Sequence, residues 1–358
     1  MNMQQLAFDW EIEEDTRGLG RPSIDLLPLD QYHKVLVSSS GGKDSVACLL
    51  HLLELGVPRE KIELWHQCVD GAPTQERVEF LDWPVSESYV QALGDAFDLP
   101  VRYQWRDGGI RGELLRKDSL TGDVYYVDDD GKMVQLPTTK GKLSTRRKWP
   151  AMSADLSVRW CSASAKIDVF KRALNNHPAF QIGTKDQPQN ILVVTGERRE
   201  ESSARARYAE AEDHACHTRA RNVHAWRPVI DWPERRVWEI LERHRILPHP
   251  AYLVGFGRTS CLGCIFSTPD LWAMIREFAP ARFERLVQME RQLDHTIDAK
   301  MDLTAKANLG SLKRVPNDVR LGRWIETAMS RNVTKQDLIV SRWELPAGAF
   351  RGAAGGSM

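Results

Sequence analysis

Apolar positions in this chain alternate between short β-branched runs and longer stretches at helical spacing. KVLVSSS (34–40) is a compact Val/Leu run that reads as a buried strand. After a glycine pair, SVACLLHLLELG carries apolar residues at helical spacing and closes on Gly56. IELWHQCVD (62–70) reads as a second strand, SESYVQALGDAFDLP (86–100) as a capped helix stopped by Pro100, and VRYQW (101–105) as a third strand. Strands alternating with helices predict an α/β fold, a parallel twisted sheet covered by helices on both faces.

The rhythm breaks over 106–150. DVYYVDDDGKMVQL alternates on both sides of an Asp-Gly turn and predicts a β-hairpin. The basic run KGKLSTRRKWP follows, so this stretch reads as an insertion. The alternation resumes with a helix near 162–175, the strand NILVVTG (190–196), an arginine-rich segment (197–221) and the helix PERRVWEILERHRI (233–246). Four regions result: an N-terminal extension (1–30), an α/β domain (31–268) holding the 106–150 insertion, a C-terminal helical region (269–345), and a small, glycine-rich tail (346–358) expected to be disordered.

Composition narrows the class. Hydrophobic residues are 42 % and charged residues 27 %, and the formal net charge is zero, so nucleic-acid contact would need a local patch. The acidic start is unlike a signal peptide, and no run approaches the ~20 apolar residues of a membrane span. Six cysteines are too few for a disulfide scaffold in a chain this long. The expectation is a cytoplasmic protein, away from membranes, with cysteines used for chemistry.

The candidate chemistry begins at Ser40-Gly41-Gly42-Lys43-Asp44-Ser45, between a strand and a helix N-terminus. Free backbone N–H groups and the helix dipole attract an anion there. The glycines allow close approach, the serines add hydroxyls, and Lys43 adds a point charge. Asp44 is placed to cap the helix and to help hold Mg²⁺ carried by a polyphosphate. The spacing is not that of a Walker A loop, which disfavours a GTPase or P-loop ATPase. The bland alternative is a polar β–α turn. Arg198, Arg199 and Arg205 follow the strand that ends at Gly196, hence on the same rim of a parallel sheet. Guanidinium forks there suit phosphate or sulfate, although interleaved glutamates also fit a solvated segment; Arg199 is read as surface. Asp70 ends the second strand, where a ribose or base edge is expected.

SGGKDS after a first strand resembles the signature of the ATP-pyrophosphatase (PP-loop) superfamily. Arg159-Trp160-Cys161 with Lys166, TGERREESSARAR (195–207, with Gly196, Arg198, Ser202 and Arg205), and WRPVIDWPERRVWEIL running into HPAYLVGFGRTSCLGC resemble elements of its phosphoadenosine-phosphosulfate (PAPS) reductase-like branch. They span roughly residues 34–268 in the family's order. The resemblance implies the adenine nucleotide alpha-hydrolase-like fold and an adenine nucleotide ligand, ATP or PAPS, with Lys43, Asp44 and Arg198 as catalytic residues.

Cys261 and Cys264 form a C-x-x-C, half a metal site by itself. The resemblance adds Cys161 and implies a [4Fe–4S] cluster. The fourth ligand is either Cys216 or absent, leaving one iron open to carry sulfide; zinc and a redox disulfide remain alternatives. Cys48 and Cys68 read as core.

Dedicated PAPS reductases carry a degenerate loop and a C-terminal nucleophilic cysteine. Here the loop is intact, and no cysteine follows Cys264. The expected reaction is therefore adenylation by ATP and then sulfur transfer, nearest to the DNA-phosphorothioation (Dnd-type) sulfur proteins, which take sulfur from a cysteine desulfurase. A reductase using an external thiol and a non-catalytic nucleotide sensor are the alternatives. The run Lys140, Lys142, Arg146, Arg147, Lys148, followed by Trp149, could track a nucleic-acid backbone, or could be a solvated loop.

Overall fold

The central strands are apolar on both faces, as buried parallel strands must be. In the computed structural model, which describes residues 23–351 other than 75, 154 and 156, β1 (Lys34–Ser38) pairs in parallel with β2 (Ile62–Cys68) on one side and β6 (Gln189–Val194) on the other. β3 (Val101–Arg106) extends the sheet beyond β2, and β8 (Arg221–Trp226) extends it beyond β6, both in parallel. Antiparallel strands finish both edges: the hairpin β4 (Val124–Val127) and β5 (Met133–Leu136) beside β3, and β7 (Ala211–Asp213) beside β8. The eight-stranded order is β5-β4-β3-β2-β1-β6-β8-β7. The expected α/β sheet is present, and strand order reverses between β1 and β6, the place where such sheets open a crevice for ligands.

Two apolar layers sandwich the sheet. Val35, Val37, Ile62, Leu64, Leu192 and Val194 face one cluster; Leu36, Trp65, Ile191, Val193 and Val223 face the other. The first layer is covered by α1 (Lys43–Glu54), α2 (Ser86–Phe97) and, later in the chain, α6 (Glu234–Arg243). The short α3 (Gly109–Leu115) joins this layer through Ile110 and Leu114. The second layer is covered through Phe170, Ala173 and Leu174 of α5 (Asp168–Asn176). The helix expected near 162–175 is composite: a single turn, α4 (Trp160–Ser162), a π-helical stretch Ala163–Ile167, and then α5.

The hairpin forms at the expected Asp-Gly turn, with Val127 opposite Met133. It is not a separate appendage, because Tyr125 of β4 pairs with Trp105 of β3 and their rings stack at 5.7 Å. The C-terminal helices follow the turn α7 (Pro250–Leu253). They are α8 (Pro269–Phe278), α9 (Pro280–Leu293), α10 (Leu303–Asn308), α11 (Leu321–Ala328) and α12 (Lys335–Leu338). Trp272, Leu286, Leu303, Ala328 and Leu338 enter the first apolar layer, so this region completes the α/β core.

Both expected chain ends reach into the fold. Of the extension, residues 1–22 lie outside the described residues, while the Ile24 amide donates to Ala211 O at the edge strand. Of the tail, 352–358 lie outside them too, while the Gly348 amide donates to Tyr252 O at 2.8 Å. No helix among the described residues is long and apolar enough to cross a membrane.

Candidate functional site

The Ser40–Ser45 loop leaves the carboxyl end of β1 and enters α1 at Lys43, beside the end of β6. Gly41 takes φ +73°, open to glycine at little cost, and a Cβ there would stand 3.1 Å from Tyr89. Ser45 Oγ donates to Gly42 O at 2.9 Å and lies 3.4 Å from Ser40 Oγ, which closes the loop on itself. The Lys43 amide, one of those without an intrahelical acceptor, donates to Tyr252 OH at 3.1 Å.

Two of the candidate phosphate cations meet on one carboxylate. Lys43 Nζ donates to Asp44 Oδ2 at 3.0 Å, and Arg198 Nε donates to Asp44 Oδ1 at 2.6 Å. Arg198, 2 % exposed, also binds Glu200 and the Trp232 carbonyl. Burial works against charge on Lys43, but Asp44 outweighs it and raises the ammonium's pKa. Burial likewise opposes the Asp44 carboxylate, and the cations Lys43 and Arg198 hold its pKa below the usual range. All three side chains are therefore charged. Gly196 makes the junction possible: a Cβ on it would lie 2.7 Å from the Asp44 carbonyl carbon.

The other expected binding residues divide. Arg205 pairs with Glu201, and Ser202 Oγ accepts from the Arg205 amide at 3.3 Å. Both contacts lie within the 201–205 segment itself. Arg199 corrects the sequence reading: it is 6 % exposed, bound to Asp231 at 2.5 Å and to the Tyr208 carbonyl, a buried brace and not a surface residue. Asp70 is also differently employed. Its carboxylate accepts from the amides of Phe80, Leu81 and Asp82 at 2.8–3.0 Å, so it anchors that loop.

The anchored loop supports the cysteines. Gly263 N donates to Leu81 O and Trp83 Nε1 donates to Ser260 O, both at 3.0 Å, so the Cys261–Cys264 turn is fastened to residues 80–83. Arg282 of α9 donates to Asp82 O from the other side. Cys161 approaches from α4. Lys166 lies in the field of Cys261, Asp82, Cys161 and Cys264, and although burial opposes its charge, these groups raise its pKa. The π-helical stretch explains the spacing. Five residues apart on an α-helix, Cys161 and Lys166 would diverge by about 140°; the wider π-helical stretch Ala163–Ile167 between them reduces that divergence.

Burial, then neighbouring Cys264, raises the Cys161 thiol's pKa; burial and Asp82 push Cys261's well above its usual value. Asp82 itself is pushed up to about 7, first by burial and then by Asp70 and Glu87. Cys216 corrects the expected ligand set: it belongs to the second apolar layer with Phe170 and Leu174, across the sheet from the other three cysteines. Asp82, Tyr252 and His249, whose ring would stand 3.2 Å from a Cβ on Gly41, border these residues without having stood out in the sequence. The motif HPAYL carried two of them, but nothing in the sequence set Asp82 apart from other loop carboxylates.

A single zinc ion with Zn–S of about 2.3 Å needs sulfurs no more than about 4.6 Å apart. Cys161, Cys261 and Cys264 are not among the described ligand groups that lie within 4.8 Å of one another. One ion is therefore a poor fit as they stand. The three thiols share instead the field of one buried ammonium, that of Lys166.

Against this geometry the comparisons are specific. Residues 138–269 match the family model of the phosphoadenosine phosphosulfate reductase domain. The match takes in Cys161, Lys166, Arg198, Cys261 and Cys264, and supports the PAPS reductase-like branch for this stretch. An uncharacterised 37.8 kDa protein of Escherichia phage 186 is 25 % identical over 268 residues, 72 % of this chain and 74 % of that protein. An adenosine 5'-phosphosulfate reductase of Burkholderia cepacia is 34 % identical over 104 residues, 29 % of this chain and 35 % of the reductase.

Proposed function

We propose that the protein is an ATP pyrophosphatase of the PAPS reductase-like kind that activates a substrate by adenylation and then transfers sulfur to it. The observation that carries the reading is the meeting of Lys43 and Arg198 on Asp44 at the β1/β6 reversal. Two buried cations aimed at a helix N-terminus suit a pyrophosphate more than a lone carboxylate.

In this mechanism the Gly41–Gly42 backbone and Lys43 hold the β- and γ-phosphates. A substrate oxygen attacks the α-phosphorus in line, the bond to the β-phosphate oxygen breaks, and pyrophosphate leaves. Arg198 stabilises the charge that develops at phosphorus. Asp44 positions both cations before the nucleotide arrives, and Mg²⁺ would enter with the polyphosphate. Sulfide then displaces AMP, which departs with the oxygen that carried it. Cys161, Cys261 and Cys264 would hold a [4Fe–4S] cluster, which would supply a place to carry sulfide. Lys166 offsets the thiolates' charge, and Asp82 is placed to hold or release a proton near neutrality.

A cysteine desulfurase or similar persulfide donor would supply the sulfur, and a pair of external thiols would reduce it by two electrons to sulfide, leaving as a disulfide. If the acceptor is a nucleic acid, as in the Dnd-type reading, the exposed Lys140, Lys142 and Lys148 are the contacts available. Arg146 stacks on Trp160 at 4.3 Å and Trp149 on Phe80 at 5.9 Å, so neither faces a backbone.

The second reading, a reductase of adenylyl sulfate or PAPS using an external thiol, draws on the Burkholderia relative. Pyrophosphate release from ATP separates the two. The purified protein should release it, and Lys43→Ala should lower the rate at least 100-fold while leaving the fold intact. Tight binding of PAPS without ATP turnover would sink the ATP reading, and nucleotide binding with no turnover of either compound would mark a sensor.

A further inference from the structure

His66 and Cys68 sit two residues apart on β2 and so point to the same face of the sheet, where Glu87 of α2 meets them. One ligand atom from each of the three lies within 4.8 Å of the others. This cluster is separate from Cys161, Cys261 and Cys264 and takes no part in the mechanism above.

The histidine is set as a metal-binding histidine usually is. Its Nδ1 lies 2.7 Å from the Ser39 carbonyl, an acceptor without a proton, so Nδ1 carries the hydrogen and Nε2 presents a lone pair. The residue is 3 % exposed and Nε2 has no hydrogen-bond partner. A buried nitrogen left without a partner is costly unless something occupies it. Arg77 holds Glu87 through both carboxylate oxygens, one contact at 2.9 Å, which fixes the carboxylate's orientation toward the cysteine and histidine.

We propose that His66 Nε2, Cys68 Sγ and Glu87 form a zinc-type divalent metal site under the Ser40–Ser45 loop. Nitrogen, sulfur and carboxylate oxygen together suit a borderline ion such as Zn²⁺ more than a hard Mg²⁺ or Ca²⁺. Binding displaces the Cys68 proton to solvent and forms the metal–thiolate bond, with no change of oxidation state. Three protein ligands leave a fourth position, which water fills. Through Nδ1–H···O the site fastens Ser39, the residue that leads into the loop. The assignment does not depend on the ATP reading.

The test is a zinc titration of the full chain, stripped with chelator and handled anaerobically, with X-ray absorption at the zinc edge after one equivalent. The expected result is one tightly held zinc with one sulfur at about 2.3 Å and the remaining ligands nitrogen or oxygen at about 2.0–2.2 Å. His66→Gln and Cys68→Ser should each weaken binding at least ten-fold, and Cys261→Ser should leave it unchanged. No retained zinc would overturn the proposal. So would a shell of two or more sulfurs, the mark of the Cys161, Cys261 and Cys264 group, or a shell without sulfur, the mark of the Asp213, His217 and His224 group. The absorption spectrum of the unaltered chain decides the matter even if a variant fails to fold.

Discussion

At the scale of single residues, charge and burial decide what each candidate does. Lys43, Asp44 and Arg198 stood out in the sequence by their motifs, and the structure brings them within hydrogen-bond reach. The cysteines were legible in part: Cys161 joins the C-x-x-C turn, whereas Cys216 lies across the sheet. Protein purified anaerobically should carry iron and sulfide, lose both in Cys161→Ser, and keep both in Cys216→Ser; equal loss in both variants would refute the three-cysteine site. His249 supplies a pH prediction. It is 1 % exposed, and burial, with His66 nearby, lowers its pKa from 6.5 to about 3. The unfolded chain takes a proton there near pH 6.5, the folded chain only near pH 3. Its contribution to stability is full above pH 6.5 and is lost as pH falls toward 3. His249→Gln should therefore flatten the acid side of a plot of urea midpoint against pH, and an unchanged slope would rule out a neutral buried imidazole.

At the scale of elements, local pattern predicted most strands and helices, because apolar periodicity and turn residues act over a few positions. What it could not give was partnership between distant segments. The hairpin was visible, but its pairing to β3 depends on contacts such as Trp105 with Tyr125. The π-helical stretch was hidden because its sequence, ASAKI, has no breaker and reads as ordinary helix. Asp70 looked like a ligand-facing strand end until the returning loop 80–82 took its oxygens. Element packing also makes Gly196 a sensitive position, since a Cβ would press on the backbone of α1. Gly196→Ala should cost about 1–3 kcal/mol in urea unfolding and should weaken ATP binding as Arg198 shifts from Asp44. Unaltered stability and affinity would show that β6 and α1 can part freely.

At the scale of the whole molecule, the fold explains why residues from 40 to 264 converge. The strand-order reversal opens beside β1 and β6, the C-terminal helices brace the loop that carries Asp82, and that loop braces the cysteine turn. The α/β class was legible from the alternation alone. The helices of 269–345 were expected as a C-terminal region, but amphipathic stripes do not say what they cover; here their apolar residues join the cluster on one side of the sheet. The proposed reaction cleaves ATP between its α- and β-phosphates. Its most direct test is product analysis of ATP turnover by anaerobically purified protein. AMP and pyrophosphate should appear in equal amounts once an acceptor is adenylated and sulfur is delivered. ADP with phosphate, or sulfite and AMP formed from adenylyl sulfate and thiol with ATP untouched, would contradict it.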